Sequence, residues 1–358
     1  MSVTTGTDAR ALAAGFLDGS DLSALGLLVS PEYGGAARGY QEFGQVCRLI
    51  AASSPSRQAL LTVHAMVCRA VQRWGNEQLR SAHLPQLATG QRIAAFALSE
   101  ETAGSDIQNL SIACEPEADG WSLTGSKHWV TYGRAADVFL VFAGTERGAV
   151  ALLVDSDTPG VQVEECPRTS GFAEAELGTI RFDGCRVPSS RQVGRTGSAL
   201  AHVATDALLL GRLAVAFASL GLAQAGLRAA TERAVARHPS GHALHERQLV
   251  RGLLADAAVA VHGAEDLCRR AADSMQDRGE WLIQDVLIAK LAASRAATLA
   301  TSVAAQIAGA AGLLDGSPVD RMVRDARVYE VIEGNTQLLQ DLVAGQVIAR
   351  HRSGVDDD

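Results

Sequence analysis

Hydrophobic and polar positions divide the chain into three zones. Up to about residue 90, apolar residues recur at intervals of three and four. Phe43, Val46, Cys47 and Ile50 show this, as does the stretch from Leu60 to Leu79, so amphipathic helices are predicted. Pro31 and the pair Gly34–Gly35 mark a turn between an opening helix and the next. From about 91 to 192 the period changes. Ile93–Leu98, Trp129–Thr131, Val138–Phe142, Val150–Val154 and Val161–Val163 are short β-like runs separated by Gly, Asp, Pro and Ser. They predict a small, mostly antiparallel β domain, because the runs follow one another too closely for crossover helices. Beyond about 193 the chain is alanine-rich and helical. Four long amphipathic segments break near Pro239–Ser240–Gly241, Asp277–Arg278–Gly279 and Gly312–Pro318, which predicts an up-down four-helix bundle ending in a frayed tail.

The expected fold class is therefore α+β and mainly helical. An N-terminal helical domain (1–90) leads into a middle antiparallel β domain (91–192), and a C-terminal four-helix bundle (193–358) follows. Composition supports a large core: of 358 residues 47% are hydrophobic and 20% charged, which excludes a disordered chain. A net charge of −8 and only 4% aromatic residues argue against a nucleic-acid partner, since phosphate binding needs a basic face and base stacking needs rings. The most apolar stretch, Leu208–Leu227, is interrupted by Gly211 and Arg212, so no membrane segment is expected. Met1–Arg10 lacks the pattern of a secretory leader, and the six cysteines are scattered without CxxC spacing, as in a cytoplasmic protein with reduced thiols. The chain has just two lysines, Lys127 and Lys290, against thirty arginines, a ratio read as a coding bias.

Three segments carry chemistry. In Ser99-Glu100-Glu101-Thr102-Ala103-Gly104-Ser105-Asp106 a strand runs into a loop rich in hydroxyl and backbone donors, suited to an acceptor-rich ligand or simply to a polar connection. In Gly125-Ser126-Lys127-His128-Trp129-Val130-Thr131-Tyr132-Gly133, strand periodicity puts Trp129 and Thr131 on one face, where they could stack on and hydrogen-bond to a flat ring, or serve as a core Trp beside a surface Thr. In Arg324-Asp325-Ala326 through Tyr329-Glu330-Val331-Ile332-Glu333-Gly334-Asn335, Gly334 stops one helix and Asn335 or Thr336 caps the next, leaving Glu333 at the junction. The two helix dipoles act on that carboxyl oppositely, so the sign of its pKa shift stays open. His238, His242 and His245 have ligand-like spacing, but no carboxylate or cysteine completes a set around Pro239-Ser240-Gly241, and no metal is expected.

Taken together, in this order, these segments resemble the acyl-CoA dehydrogenase family. They are similar to its TEPxAGSD, GxKxWITNG and RDAxxxxIYEGT patterns, and Gln306 through Gly312 is similar to its QxxGGxG. The resemblance covers about residues 20 to 350. It implies FAD held between the β domain and the bundle, with Ser99 and Ser105 at the flavin and substrate mouth and Trp129 and Thr131 against the isoalloxazine. A second subunit would supply Arg237, Gln306 and Gly309, so a homodimer or homotetramer is implied. Arg212, Ser105 and Gly334 would contact the substrate and Asn335 the flavin. Glu333 would be the catalytic base, removing the α-proton of an acyl thioester while the β-hydride passes to flavin N5. Some members carry the base just before the arginine matching Arg212, but that position is Gly211 here.

The departures from the family patterns are Glu101 for the proline, Ile332 for the tyrosine before the base, Asn335 for the threonine after Gly334, Ser240 for a phenylalanine, and the expected loss of the family's first helix. They resemble members acting on acyl groups held by an acyl carrier protein in polyketide pathways, rather than on CoA in β-oxidation. Electrons would leave to a protein such as an electron-transfer flavoprotein, or to O2. The alternatives are a flavin oxidase or monooxygenase on the same fold, and a helical assembly protein that has lost its flavin. Retention of Glu333 favours dehydrogenation over hydroxylation, because hydroxylation needs no α-proton base.

Overall fold

A computed structural model describes residues 5–101, 110–236 and 243–353. The helices are α1 (Thr5–Asp18), α2 (Tyr40–Ala51), α3 (Pro55–Trp74), α4 (Glu77–Ala88), α5 (Thr205–Val235), α6 (Gln248–Asp277), α7 (Leu282–Ala308), α8 (Pro318–Tyr329) and α9 (Thr336–Ser353). The strands are β1 (Ala94–Ala97), β2 (Ala113–Glu117), β3 (Gly120–Val130), β4 (Val138–Thr145), β5 (Gly148–Asp155), β6 (Val161–Glu165) and β7 (Gly178–Pro188). A helix, α1, thus stands at the start of the described chain. The residues fall into two compact units.

The first unit comprises residues up to 39, 56–169 and 173–211. Its seven-stranded sheet runs β1-β4-β2-β3-β7-β6, with β5 paired to β4. Pairing is antiparallel apart from β1 and β2 against β4. β4 shows how the sequence period builds two core layers. Val138, Leu140 and Phe142 face one cluster together with helix residues Val67, Val71, Leu84 and Leu87. Phe139, Val141 and Ala143 face the other, with Leu123, Ile180 and Phe182. Alternation of successive side chains across the pleat accounts for the division. His64 ties α3 to both neighbours: the Ala94 N–H donates to Nδ1 at 3.1 Å, so Nε2 carries the proton and donates to the Leu87 carbonyl at 3.0 Å. Burial pushes its pKa down to about 4, which keeps the ring neutral.

The second unit comprises residues 40–55, 170–172 and 212 onward. The break at Asp277–Arg278–Gly279 is where the pattern places it, with Arg278 in the left-handed region that ends α6. Ala257, Val261, Ala264, Cys268, Ala271, Ala272 and Met275 form the buried stripe of α6 at helical spacing. Two features differ from the expectation. Helix α2, from the first sequence zone, packs here: a Cβ on Gly44 would stand 2.5 Å from the Phe217 ring, and Arg48 donates to Gln224 Oε1 at 2.7 Å. In place of a fourth long helix there are two shorter ones, α8 and α9. The chain bends between them because Glu333 and Gly334 both take positive φ, 55° and 98°. Residues 170–172 are strapped to α8: the Phe172 N–H donates to Asp325 Oδ1 at 2.7 Å, and Arg324 donates to the Ser170 carbonyl at 2.8 Å.

Ala199–Val235 and Leu282–Leu313 are long and apolar enough to cross a membrane by length and composition alone, a test that the buried core helices of a fold also pass. Their apolar residues serve as packing surface; α7 alone buries Val286, Leu287, Ala293, Ala297, Ala300 and Val303.

Candidate active site

Glu333 sits in the α8–α9 turn of the second unit. α8 ends at Tyr329, and the Val331 and Ile332 N–H groups close back on the Val328 carbonyl at 2.9 and 3.0 Å. Asn335 then caps α9, its Oδ1 accepting the Leu338 N–H at 2.9 Å, so its oxygen is committed to the helix start. Two cations hold the intervening turn by its backbone. Arg212 on α5 donates Nε–H to the Glu333 carbonyl at 3.1 Å, and Lys290 on α7 donates Nζ–H to the Gly334 carbonyl at 2.7 Å. Glu333 Oε2 is buried and has no hydrogen-bond partner among the described residues.

Burial is the largest influence on this carboxyl and pushes its pKa up to about 7, with Arg212 and Lys290 opposing the shift. Burial likewise brings Lys290 down to about 8 and lowers Arg212. The sign that the helix dipoles left open is therefore decided by desolvation. A carboxyl titrating near neutrality, held by its main chain and with one oxygen unpartnered among the described residues, can accept a proton at neutral pH.

In the first unit, Trp129 does not lie in a regular strand. β3 ends at Val130, its pairing with β7 slips between Lys127 and Val130, and Trp129 has φ 57°. Thr131 belongs to the turn beyond, so the two do not share a strand face as alternation predicts; the bulge breaks the period. The result is an indole 53% exposed, unlike a core tryptophan. Gly125, in the same motif, has φ 138°, and a Cβ there would meet Ile112 at 2.9 Å.

Ser99 lies half-buried just after β1, and its carbonyl accepts the His128 N–H at 2.9 Å. Ser105 and Arg237 lie outside the described residues, as do His238 and His242. Gln306 and Gly309 are exposed at the C-terminal end of α7.

Sequence reasoning missed Lys127, Glu100 and Lys290. Lys127 Nζ bonds Glu100 Oε1 at 2.6 Å and the Leu98 carbonyl at 3.0 Å, so it brackets Ser99 on both sides. Glu100 in turn accepts the Ser111 N–H at 2.6 Å and the Ser111 hydroxyl. The signal was available in the lysine count. Where arginine has taken nearly every cationic position, the two remaining lysines are both 0% exposed, at sites that need a compact point charge rather than a planar fork.

Comparison with known proteins assigns the architecture. Residues 17–91, 95–185 and 201–348 match the N-terminal, middle and C-terminal domains of acyl-CoA dehydrogenase. The chain is 32% identical over 339 residues to the mitochondrial short-chain specific acyl-CoA dehydrogenase of Rattus norvegicus, spanning 93% of this chain and 82% of the relative. It belongs to the acyl-CoA dehydrogenase family.

Butyryl-CoA dehydrogenase from Megasphaera elsdenii superposes with a TM-score of 0.92 at 25% identity, over 97% of this chain and 99% of that one. The protein named FkbI, for biosynthesis of the methoxymalonyl extender unit of the polyketide immunosuppressant Fk520, superposes with a TM-score of 0.85 at 29% identity, over 96% and 98% of the two chains.

Acyl-CoA dehydrogenases are oxidoreductases acting on CH–CH donors of acyl thioesters, and they use FAD. The residues present fit that cofactor. Trp129 offers a flat apolar ring that its own unit leaves uncovered.

Proposed function

We propose that this chain dehydrogenates an acyl thioester with Glu333 as the base that removes the α-proton. The observation that carries the reading is the orphaned Glu333 Oε2 in a turn whose cations bond the main chain instead. FAD, when bound, supplies the acceptor for the β-hydride. The chain does the rest. Trp129 and Thr131 would orient the flavin ring, with Ser99, Ser105 and Asn335 around it. Arg212, Ser105 and the Gly334 backbone would align the thioester so that its α-carbon meets Glu333. The Glu333 carboxylate accepts the α-proton. Its pKa near 7 makes it a stronger base than an ordinary glutamate while leaving it about half ionised at neutral pH.

Arg237, Gln306 and Gly309 would reach the cofactor of a second copy in a homodimer or homotetramer. The exposure of Leu313, Leu314, Val347 and Ile348 supports such an assembly. The reduced enzyme would pass electrons to an electron-transfer flavoprotein, in a cytoplasmic setting consistent with six free buried thiols.

For the substrate we favour an acyl group on an acyl carrier protein in secondary metabolism, such as extender-unit biosynthesis. The departures at Ile332 and Asn335 and the likeness to the methoxymalonyl extender-unit protein support this. The test is anaerobic incubation of the FAD-loaded protein with matched acyl-CoA and acyl-carrier-protein thioesters, following flavin bleaching and product mass. Bleaching with loss of two hydrogens from the acyl group, faster on the carrier protein, is expected. Bleaching by CoA thioesters alone would remove the carrier-protein assignment, and no bleaching by either set would remove the dehydrogenase reading.

A further inference from the structure

Lys290 is a buried cation to which the proposed chemistry gives no role. It projects from the first half of α7, is 0% exposed, and ends on the Gly334 carbonyl at 2.7 Å, one residue beyond Glu333. A buried ammonium is costly unless an anion compensates it. The charged groups facing it are Glu333 and Glu330 from the α8–α9 turn and Arg212 from α5. Glu330 is already bonded by Arg327, which leaves Glu333 as the compensating anion.

We propose that Lys290 is a positioning residue for the base: its hydrogen bond to the Gly334 carbonyl fixes the turn that carries Glu333, and its charge holds the neighbouring carboxylate in the proton-accepting form. The assignment rests on the dehydrogenase reading for its purpose, though not for its test.

The geometry explains why the cation is a lysine. A guanidinium brings a planar fork suited to grasp a carboxylate by both oxygens, which would occupy the base. An ammonium can satisfy one carbonyl, act on the carboxylate through space, and leave Oε2 open. The left-handed φ of Glu333 and the 98° φ of Gly334 are strained or glycine-dependent conformations, and two cationic anchors on consecutive carbonyls keep them. Attraction from Lys290 and Arg212 sets the limit on how far burial raises Glu333.

Because the chain has just two lysines, the proposal can be read without turnover. Full-length, FAD-loaded protein labelled with [ε-13C]lysine should give two lysine signals. In the wild type both should titrate near pH 8, because burial lowers Lys127 as well as Lys290. In Glu333→Gln the Lys290 midpoint should fall by about one pH unit, the usual effect of removing a nearby opposite charge, while the Lys127 signal stays in place. Lys290→Met should delete the moving signal and shift the acid limb of kcat/KM upward by about one unit.

Lysine titrations that are identical in wild type and Glu333→Gln overturn the proposal, as does Lys290→Met with lowered kcat and an unmoved acid limb. If Lys290→Met does not fold, the Glu333→Gln comparison decides alone, because only one of the two signals can respond. The lysine spectra need no thioester. They stay readable if the dehydrogenase reading fails, and a bleaching wild type with uncoupled lysines sinks this proposal only.

Discussion

Arg212 gives its Nε–H to the main-chain carbonyl of Glu333 at 3.1 Å, and that residue's Oε2 has no partner among the described residues. The arginine therefore fixes where the base starts rather than where it ends. With the backbone pinned, the length of the side chain decides the reach of the carboxylate. Glu333→Asp should fold and keep FAD, yet lose about 100-fold in the rate of flavin reduction, since a misplacement of about 1 Å costs roughly that much. Stopped-flow bleaching with a matched thioester measures it, and a loss below about threefold would show that reach is not limiting.

The pH profile follows from burial. As the proposed base, Glu333 must be ionised in the free enzyme, and burial puts its pKa near 7, so kcat/KM should rise as pH increases through about 7. An unperturbed glutamate would put that limb near pH 4.3. Flavin reduction at limiting thioester, from pH 5 upward, distinguishes the two (assay range, roughly two units below the expected midpoint).

Trp129→Ala separates cofactor binding from folding. A core tryptophan cut to alanine costs about 3–5 kcal/mol. This indole is half exposed, so the apoprotein should melt close to the wild type. FAD affinity should fall roughly tenfold, the worth of about 1.4 kcal/mol of ring stacking. Equilibrium dialysis and thermal melts of the same preparation give both values.

Lys127→Met should act on stability. It leaves Glu100 charged and 2% exposed, and breaking a buried pair costs about 3–5 kcal/mol. A fall in Tm of roughly 5 °C is expected. The double variant Lys127→Met/Glu100→Gln should recover much of it, because no unpaired charge remains. Thermal denaturation of both variants checks this.

How much of this was legible in the sequence depends on the range of the interaction. Breaks and periods are local. The helix stop at Asp277–Arg278–Gly279, the alternation in β4 and the junction holding Glu333 are visible in the residues themselves. The assignment of Asn335 or Thr336 as cap resolves to Asn335 for the same local reason. Non-local features were hidden. The packing of Gly44 against Phe217 joins residues far apart in the chain, so α2 reads as part of the first zone. The bulge at Lys127–Val130 depends on pairing with β7, and a period of two cannot reveal it. The sign of the Glu333 shift required its burial, which only the tertiary fold supplies. The two lysines stand out in the sequence only as a composition, because their burial is a property of α7 and β3 in place.

The central claim is that Glu333 takes the α-proton. The most direct test mixes FAD-loaded Glu333→Gln anaerobically with a thioester that bleaches the wild type. The variant should bind FAD fully and bleach slower by several orders of magnitude, as expected for loss of an essential base. Bleaching at the wild-type rate would contradict the account and remove Glu333 from the chemistry.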